Sequence, residues 1–246
     1  MCDFFSLVSD GKGKIYYFDS KIRKDILSGK SKYEKTDSHT SIADYFGFKG
    51  KKEDQLNKYE YNPLTGKFTV DQINTQNDQQ FVEQFCRKLD FHAIVPELII
   101  KPIINPFDDR NCEQVTEKHI ELLKEWVRVR ENVCGIVAKS VRENVGDIVW
   151  TSVWKSVRER VGYYSVCGIV AERVREIEKC IEWPEAWMLL WDSMLAYMSS
   201  FFNIEKVNPF QSCIDLWEAG LVPSYDGKVW RLHGGKDGKI LWEGKE

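Results

Sequence analysis

Val129-Arg130-Glu131-Asn132, Val133-Cys134-Gly135-Ile136, Val137-Ala138-Lys139-Ser140 is copied closely by Val141-Arg142-Glu143-Asn144, Val145-Gly146-Asp147-Ile148, Val149-Trp150-Thr151-Ser152. The register runs on through Val153-Trp154-Lys155-Ser156 and Val157-Arg158-Glu159-Arg160 to Val161, and Val166-Cys167-Gly168-Ile169-Val170 restates Val133 to Val137 after a slip of phase. The middle of the chain is a tandem repeat with valine at every fourth position and three tetrads to a higher unit.

An α-helix turns every 3.6 residues, so these valines drift about 40° per tetrad and circle the axis in about nine tetrads. No single flat partner covers such a stripe. Either the helix breaks and turns, for which Gly146, Gly162 and Gly168 are placed, or each tetrad is one short side of a compact β-solenoid. The valine, glycine, serine and asparagine content favours the solenoid, because these are weak helix formers. Arg, Glu, Lys and Ala, with helical patterns on both flanks, favour the helix, which is the reading adopted. In both cases the repeats pack against something, since one tetrad cannot bury its own valine.

The residue after each valine is, in order, Arg130, Cys134, Ala138, Arg142, Gly146, Trp150, Trp154, Arg158 and Gly162, so seven of nine are Arg, Trp or Gly. These three share codons of the form NGG, which marks a DNA-level repeat diversified at one site by single-base changes. Neutral drift at a solvated position is one account. The other is variation on a contact surface, because Arg and Trp are the residues most enriched in binding hot spots. On that account Arg130, Arg142, Trp150, Trp154 and Arg158 are the binding residues. Trp126 to Cys180 carries ten basic and seven acidic residues, so a nucleotide or nucleic acid joins a protein partner or a second copy of the chain among the ligands to weigh.

Outward from the repeat, the two ends of the chain resemble each other in style. Phe4 to Val8 with Lys14 to Phe18, Lys58 to Tyr61 with Lys67 to Asp71, and Lys228 to His233 with Lys239 to Trp242 read as hairpins around turn-forming centres. Ile22 to Leu27, Ser41 to Phe46 (behind the possible caps Asp37 and Ser38), Gln79 to Leu89, Thr116 to Trp126 and Pro209 to Ala219 have helical spacing. The apolar run Ile94 to Ile104 is kept from helix by Pro96, Pro102 and Pro106 and reads as extended and buried. Trp183, Trp187 and Trp191 share a helix face with Leu195, Met198 and Phe202, the usual mark of core. Since a lone hairpin is marginal in water, the terminal hairpins are expected to pair into one sheet.

These readings predict an α+β fold: a small antiparallel sheet built from N- and C-terminal hairpins with packed helices, plus a central tetrapeptide-repeat element. The divisions are 1–125, 126–182 and 183–246, the last completing the N-terminal domain.

Composition narrows the function classes. At 246 residues and 43% hydrophobic the chain has enough apolar mass for a real core, and a formal charge of −3 gives no global field for nucleic acid or an anionic membrane. Met1-Cys2-Asp3-Phe4-Phe5-Ser6 lacks a basic n-region and a long apolar run, so a cytoplasmic location is expected. Seven cysteines with no Cys-x-x-Cys read as reduced thiols. Walker, Gly-x-Gly-x-x-Gly and Gly-x-Ser-x-Gly motifs are absent, as is any Cys/His metal spacing, so the expected set holds no metal and no cofactor. Glu185 and Asp192 argue against a membrane span in the Trp-rich helix.

Two residues carry an enzymatic alternative. Removal of Met1 would leave Cys2 at the N-terminus with its own amine as base, and His39 sits among Asp37, Ser38 and Thr40, which suits a cysteine-dependent hydrolase or transferase. The simpler reading of Asp37-Ser38 before an apolar helix is a cap. His92, His119 and His233 are isolated in sequence.

The tetrads, the stretch Asp37-Ser38-His39-Thr40-Ser41-Ile42 and the ending from Asn208-Pro209-Phe210-Gln211-Ser212-Cys213 through Gly227-Lys228-Val229-Trp230-Arg231-Leu232-His233 resemble a group of hypothetical proteins from phages and uncultured bacteria. The resemblance spans most of the chain. It implies a phage or mobile-element accessory protein and transfers no activity and no functional residue. The expected role is a non-enzymatic binding protein.

Overall fold

The structure, a computed structural model, describes residues 5–31, 38–48, 50–130, 133, 137, 139, 145–161, 166–177, 183–203 and 208–245, with backbone alone at 51, 53, 147, 148, 175, 177 and 183–189. The fold is α+β, with helices and two small antiparallel sheets among the described residues. Contacts divide the chain into two compact units, 1–101 with 141–154 and 102–140 with 155–246.

In the first unit, β1 (Phe5–Ser9), β2 (Ile15–Tyr16), β3 (Asn57–Asn62) and β4 (Lys67–Gln72) form a sheet of order β2-β1-β3-β4. The β1–β2 turn closes because the Asp10 carboxylate accepts from the amides of Lys12 (2.8 Å) and Lys14 (3.1 Å). Gly11 stands there at φ +68°, and a Cβ on it would meet the Gln76 carbonyl at 2.7 Å. Side chains alternate across a strand, so Val8 and Phe5 point to opposite faces. Val8 joins Phe18 with Ile26 of α1 (Ser20–Leu27) and Ile42 and Ala43 of α2 (His39–Tyr45). Phe5 meets Phe91 edge-on, at 5.1 Å, and Tyr61 stacks on the same ring at 5.6 Å. Phe91 opens the short α4 (Phe91–Ile94), which follows α3 (Gln79–Lys88).

Asp78 fastens α3 to the sheet. Its carboxylate accepts from Asn57 at 2.9 Å, from the Tyr59 hydroxyl at 2.7 Å and from Ser9. Burial first, then this carboxylate, pushes the Tyr59 phenol well above its usual range.

The second unit holds α5 (Glu117–Val129), α7 (Cys167–Ile177), α8 (Trp183–Ser199), α9 (Gln211–Glu218) and the sheet β5 (Val222–Tyr225), β6 (Trp230–Gly234), β7 (Lys239–Gly244), in the order β5-β6-β7. Helix α9 packs on α5 and α8, and α8 on β5. Leu195, Met198 and Phe202 are buried, as the Trp-stripe reading expected. Thr116 caps α5 in a reciprocal box with His119. The backbone of Ile104 is gripped from both sides, its amide donating to the Tyr197 hydroxyl (2.7 Å) and its carbonyl accepting from Trp217 Nε1 (3.0 Å), while those two rings stack at 5.1 Å.

Between Asp147 and Val161 the repeat forms one helix, α6. Val149, Val153, Val157 and Val161 are fully buried, and Val145 nearly so. The break expected at Gly146 is present: it sits at φ +82°, in the left-handed region where glycine is cheapest. Gly168 lies inside α7 instead, and Gly162 falls outside the described residues.

Two expectations change. The hairpins build two sheets rather than one, because each unit covers its own sheet with its own helices. The run Ile94 to Ile104 is not uniformly buried: Ile94, Val95, Leu98 and Ile103 are, but Ile99 and Ile100 are 40% and 46% exposed. Pro96 and Pro102 deny that stretch a partner ladder that would carry it inward.

The β6–β7 turn offers a paired test. Gly235 and Gly238 both have positive φ, but a Cβ at Gly235 meets open space, whereas at Gly238 it meets Ile169 at 2.6 Å and Phe107 at 3.0 Å. Gly235→Ala should cost about 1–2 kcal/mol from backbone strain alone, and Gly238→Ala about 1–3 kcal/mol more from overpacking. Urea denaturation of the two variants checks the difference.

Candidate functional site

Among the five arginines and tryptophans singled out in the repeat, Arg130 is the one whose surroundings are described most fully. It follows the last residue of α5 and caps it, its amide donating to the Trp126 carbonyl. The side chain crosses to the C-terminal sheet of the same unit. There Tyr225, at the end of β5, pairs in register with Trp230, at the start of β6, and their rings stack at 4.7 Å and 22°. The guanidinium carbon lies 5.1 Å from the Trp230 centroid and 5.8 Å from that of Tyr225. A cation at this range is attracted by the negative ring face, by about 0.5–2 kcal/mol.

Only the face of the guanidinium is used in this way. Its five N–H donors lie in its plane and point outward from the edge. Arg130 Nε is buried without a hydrogen-bond partner, and among the described residues no carboxylate forms an ion pair with the group. Asp192, on α8, feels the charge at longer range. Burial pushes its carboxyl up to about 6, and Arg130 offsets part of that rise. The result is a half-buried cation held by its face, with no hydrogen-bond partner for its edge among the described residues. Such an edge fits a carboxylate or phosphate oxygen pair.

The other variable positions differ in exposure. Trp150 is 6% exposed, Trp154 half-buried and Arg158 exposed. Counted from Val149 they stand at about 100°, 140° and 180° around α6, so the drift carries the position from core to solvent. Trp150 and Trp154 belong to the first unit, Arg130 and Arg158 to the second. Arg142 lies outside the described residues.

Cys2 is outside the described residues. His39 is buried at the start of α2, with Nε2 2.9 Å from the Tyr59 carbonyl and Nδ1 3.6 Å from the Asp71 carboxylate. Ser38 caps that helix by accepting from the Ser41 amide at 3.0 Å, as the capping reading expected; Asp37 is outside the described residues. Cys86, Cys112, Cys167 and Cys213 are free thiols. Among the described residues no cluster of His, Cys, Asp and Glu could hold a metal, and no helix is long and apolar enough to cross a membrane.

Sequence reading missed one pair. His233 Nε2 lies 2.7 Å from Ser224 Oγ, the spacing of a nucleophile and its base. Strand register explains the meeting, since β5 and β6 bring two residues nine apart onto adjacent strands. Nδ1–H donates to the Gly238 carbonyl at 3.1 Å, which leaves Nε2 to accept from the serine. Ser224 is 3% exposed and His233 0%. Burial, with Arg231 and Arg173 nearby, lowers the imidazole to about 4 despite the Gly238 bond. No substrate reaches this serine, and the pair is a neutral strut inside the sheet.

That strut makes stability pH-dependent. The folded histidine is depressed from 6.5 to about 4, so the unfolded chain binds the proton first as pH falls. The contribution is complete above pH 6.5 and lost progressively towards pH 4, a change of about 3 kcal/mol. Urea midpoints measured across this window should fall with pH, and His233→Gln should flatten the profile. No protein-family model, no curated protein and no solved structure matches this chain.

Proposed function

We propose that this chain is a cytoplasmic, non-enzymatic binding protein in which an arginine at the repeat's variable position captures an oxyanion group on a protein partner, a nucleotide or a nucleic acid. The observation that supports this reading most is Arg130, stacked by its face on Tyr225 and Trp230 while Nε stays buried and unbonded. An idle charged donor in a partly desolvated place costs free energy that a structural contact alone would not return. An oxyanion docking on the edge removes that cost and leaves the ring contact intact. The same argument disfavours the hydrolase alternative at His39, whose two ring nitrogens are turned to Tyr59 and Asp71. A phage or mobile-element setting, suggested by the repeat and the two flanking stretches, suits an accessory protein of this kind.

Calorimetric titration with inorganic phosphate and with a short single-stranded DNA, at low salt, tests the proposal. Wild-type protein should bind at least one of them saturably, more weakly as salt rises. Arg130→Met keeps the apolar stem and should weaken binding about tenfold or more. Arg130→Lys, which keeps the charge and loses the fork, should fall between. Asp192→Asn removes a repelling carboxylate and should tighten binding. Saturable binding that Arg130→Met leaves untouched, or none at all in the wild type, defeats the reading.

A further inference from the structure

Within the first unit alone, α1, residues 94–97 and Val145 line a cavity of about 350 Å³. That is the small end of the range for ligand sites, ~300–1,000 Å³. Its apolar lining comes from Leu27, Ile94, Val95, Pro96 and Val145. Three features of the chain build it. Pro96 turns the chain just after α4, so that Ile94 and its cap Val95 stand at the end of that helix. Helix α1 stops at Leu27, which is 40% exposed beside the opening. Gly146, at φ +82°, breaks the repeat immediately after Val145 and so fixes where that valine sits.

Five charged side chains complete the described lining: Lys21, Arg23 and Lys24 with Asp25 and Glu97. Lys21 and Asp25 stand four apart on α1, the spacing of a helix ion pair, yet they are not paired. Among the described residues the side chains of Lys21, Lys24, Asp25 and Glu97 form no hydrogen bond or ion pair. Arg23, also on α1, is already engaged, its Nε donating to the Phe18 carbonyl at 2.9 Å and its guanidinium lying over Phe5.

A cavity with an apolar floor and two unpaired charges of each sign has a definite complement. A fatty anion would set its head beside two carboxylates, and an apolar amine would meet two lysines. A hydrocarbon would leave all four charges unanswered. A molecule with an ammonium, a carboxylate and an apolar body matches each element at once. We infer that this cavity binds a small apolar zwitterion, of the class of a free aliphatic amino acid or a dipeptide of such residues. The carboxylate pairs with Lys21 and Lys24, the ammonium with Asp25 and Glu97, and the side chain covers Val145, Ile94 and Pro96.

Leucine and leucyl-leucine are the probes, read by calorimetry and by the shift in melting temperature at low salt. At least one should bind saturably to the wild-type chain and raise its melting temperature. N-acetyl-leucine, which lacks the ammonium, and leucinamide, which lacks the carboxylate, should each bind at least tenfold more weakly than leucine. Leu27→Trp, at an exposed position facing the opening, should abolish binding by filling it. Lys24→Gln and Glu97→Gln, both at the surface, should each weaken it severalfold and give a second reading if the tryptophan variant folds poorly. Absence of saturable binding by both probes overturns the inference. So does binding that the blocked derivatives match, or that none of the three substitutions alters. Arg130→Met lies outside this cavity and should leave leucine binding unchanged, which keeps this result separable from the fate of the oxyanion reading.

Discussion

A valine at every fourth position cannot remain on one face of a straight α-helix, and the middle of this chain is shaped by how that mismatch is absorbed. Each tetrad rotates the valine by about 40°. From Val149 to Val161 the accumulated turn is about 120°, near the width of an ordinary buried stripe, and all four valines of that stretch are sealed. One further tetrad on the N-terminal side would widen the arc beyond it. The helix breaks there instead, at Gly146. A division between the two compact units falls between Trp154 and Lys155, so Val149 and Val153 count with one unit and Val157 and Val161 with the other.

The same rotation decides what the variable position can do. Positions 130, 150, 154 and 158 are equivalent in the tetrad repeat, but rotation makes them inequivalent in space. Trp150 is core, Trp154 is half-covered, and Arg158 faces solvent. Arg130 precedes the break and caps a different helix, where it meets an aromatic pair supplied by the C-terminal hairpin. A substitution at the variable position therefore alters packing at one site and surface chemistry at another. Arginine is tolerable at 130 because Tyr225 and Trp230 accept its flat face; at 150 it would place a charge in a nearly closed site.

Local signals were legible in the sequence wherever chemistry and geometry coincide within a few residues. Ser38 caps its helix, Asp10 closes its turn, and the hairpins around Gly66 and Gly235 form where turn residues separate alternating runs. The α+β class followed from those pieces. What was not legible depends on pairings between distant residues. Nothing near Ile104 announces that Tyr197 and Trp217 will grip it from 93 and 113 residues away. His233 looked isolated because its partner, Ser224, stands on the neighbouring strand rather than nearby in the chain. Of the candidate site, Arg130 was visible as a repeat position, but Tyr225, Trp230 and Asp192 were not, since only the packed fold brings α5, α8 and the β5–β6 pair together.

The interior also separates charges that are spent from charges that are not. Arg231 is almost sealed, yet Asp226 accepts it in an ion pair and Glu243 approaches at 3.3 Å. Burial alone would raise the Asp226 carboxyl, but the amides of Val229 and Lys228 together with Arg231 hold it below its usual range. Asp78 is likewise saturated by Ser9, Asn57 and Tyr59. Among the described residues the edge of Arg130 and the charges of Lys21, Lys24, Asp25 and Glu97 around the α1 cavity stand in contrast, one group in each unit. Both include residues of the repeat, Arg130 in one and Val145 in the other, so the element that organises the fold also borders each of these two places.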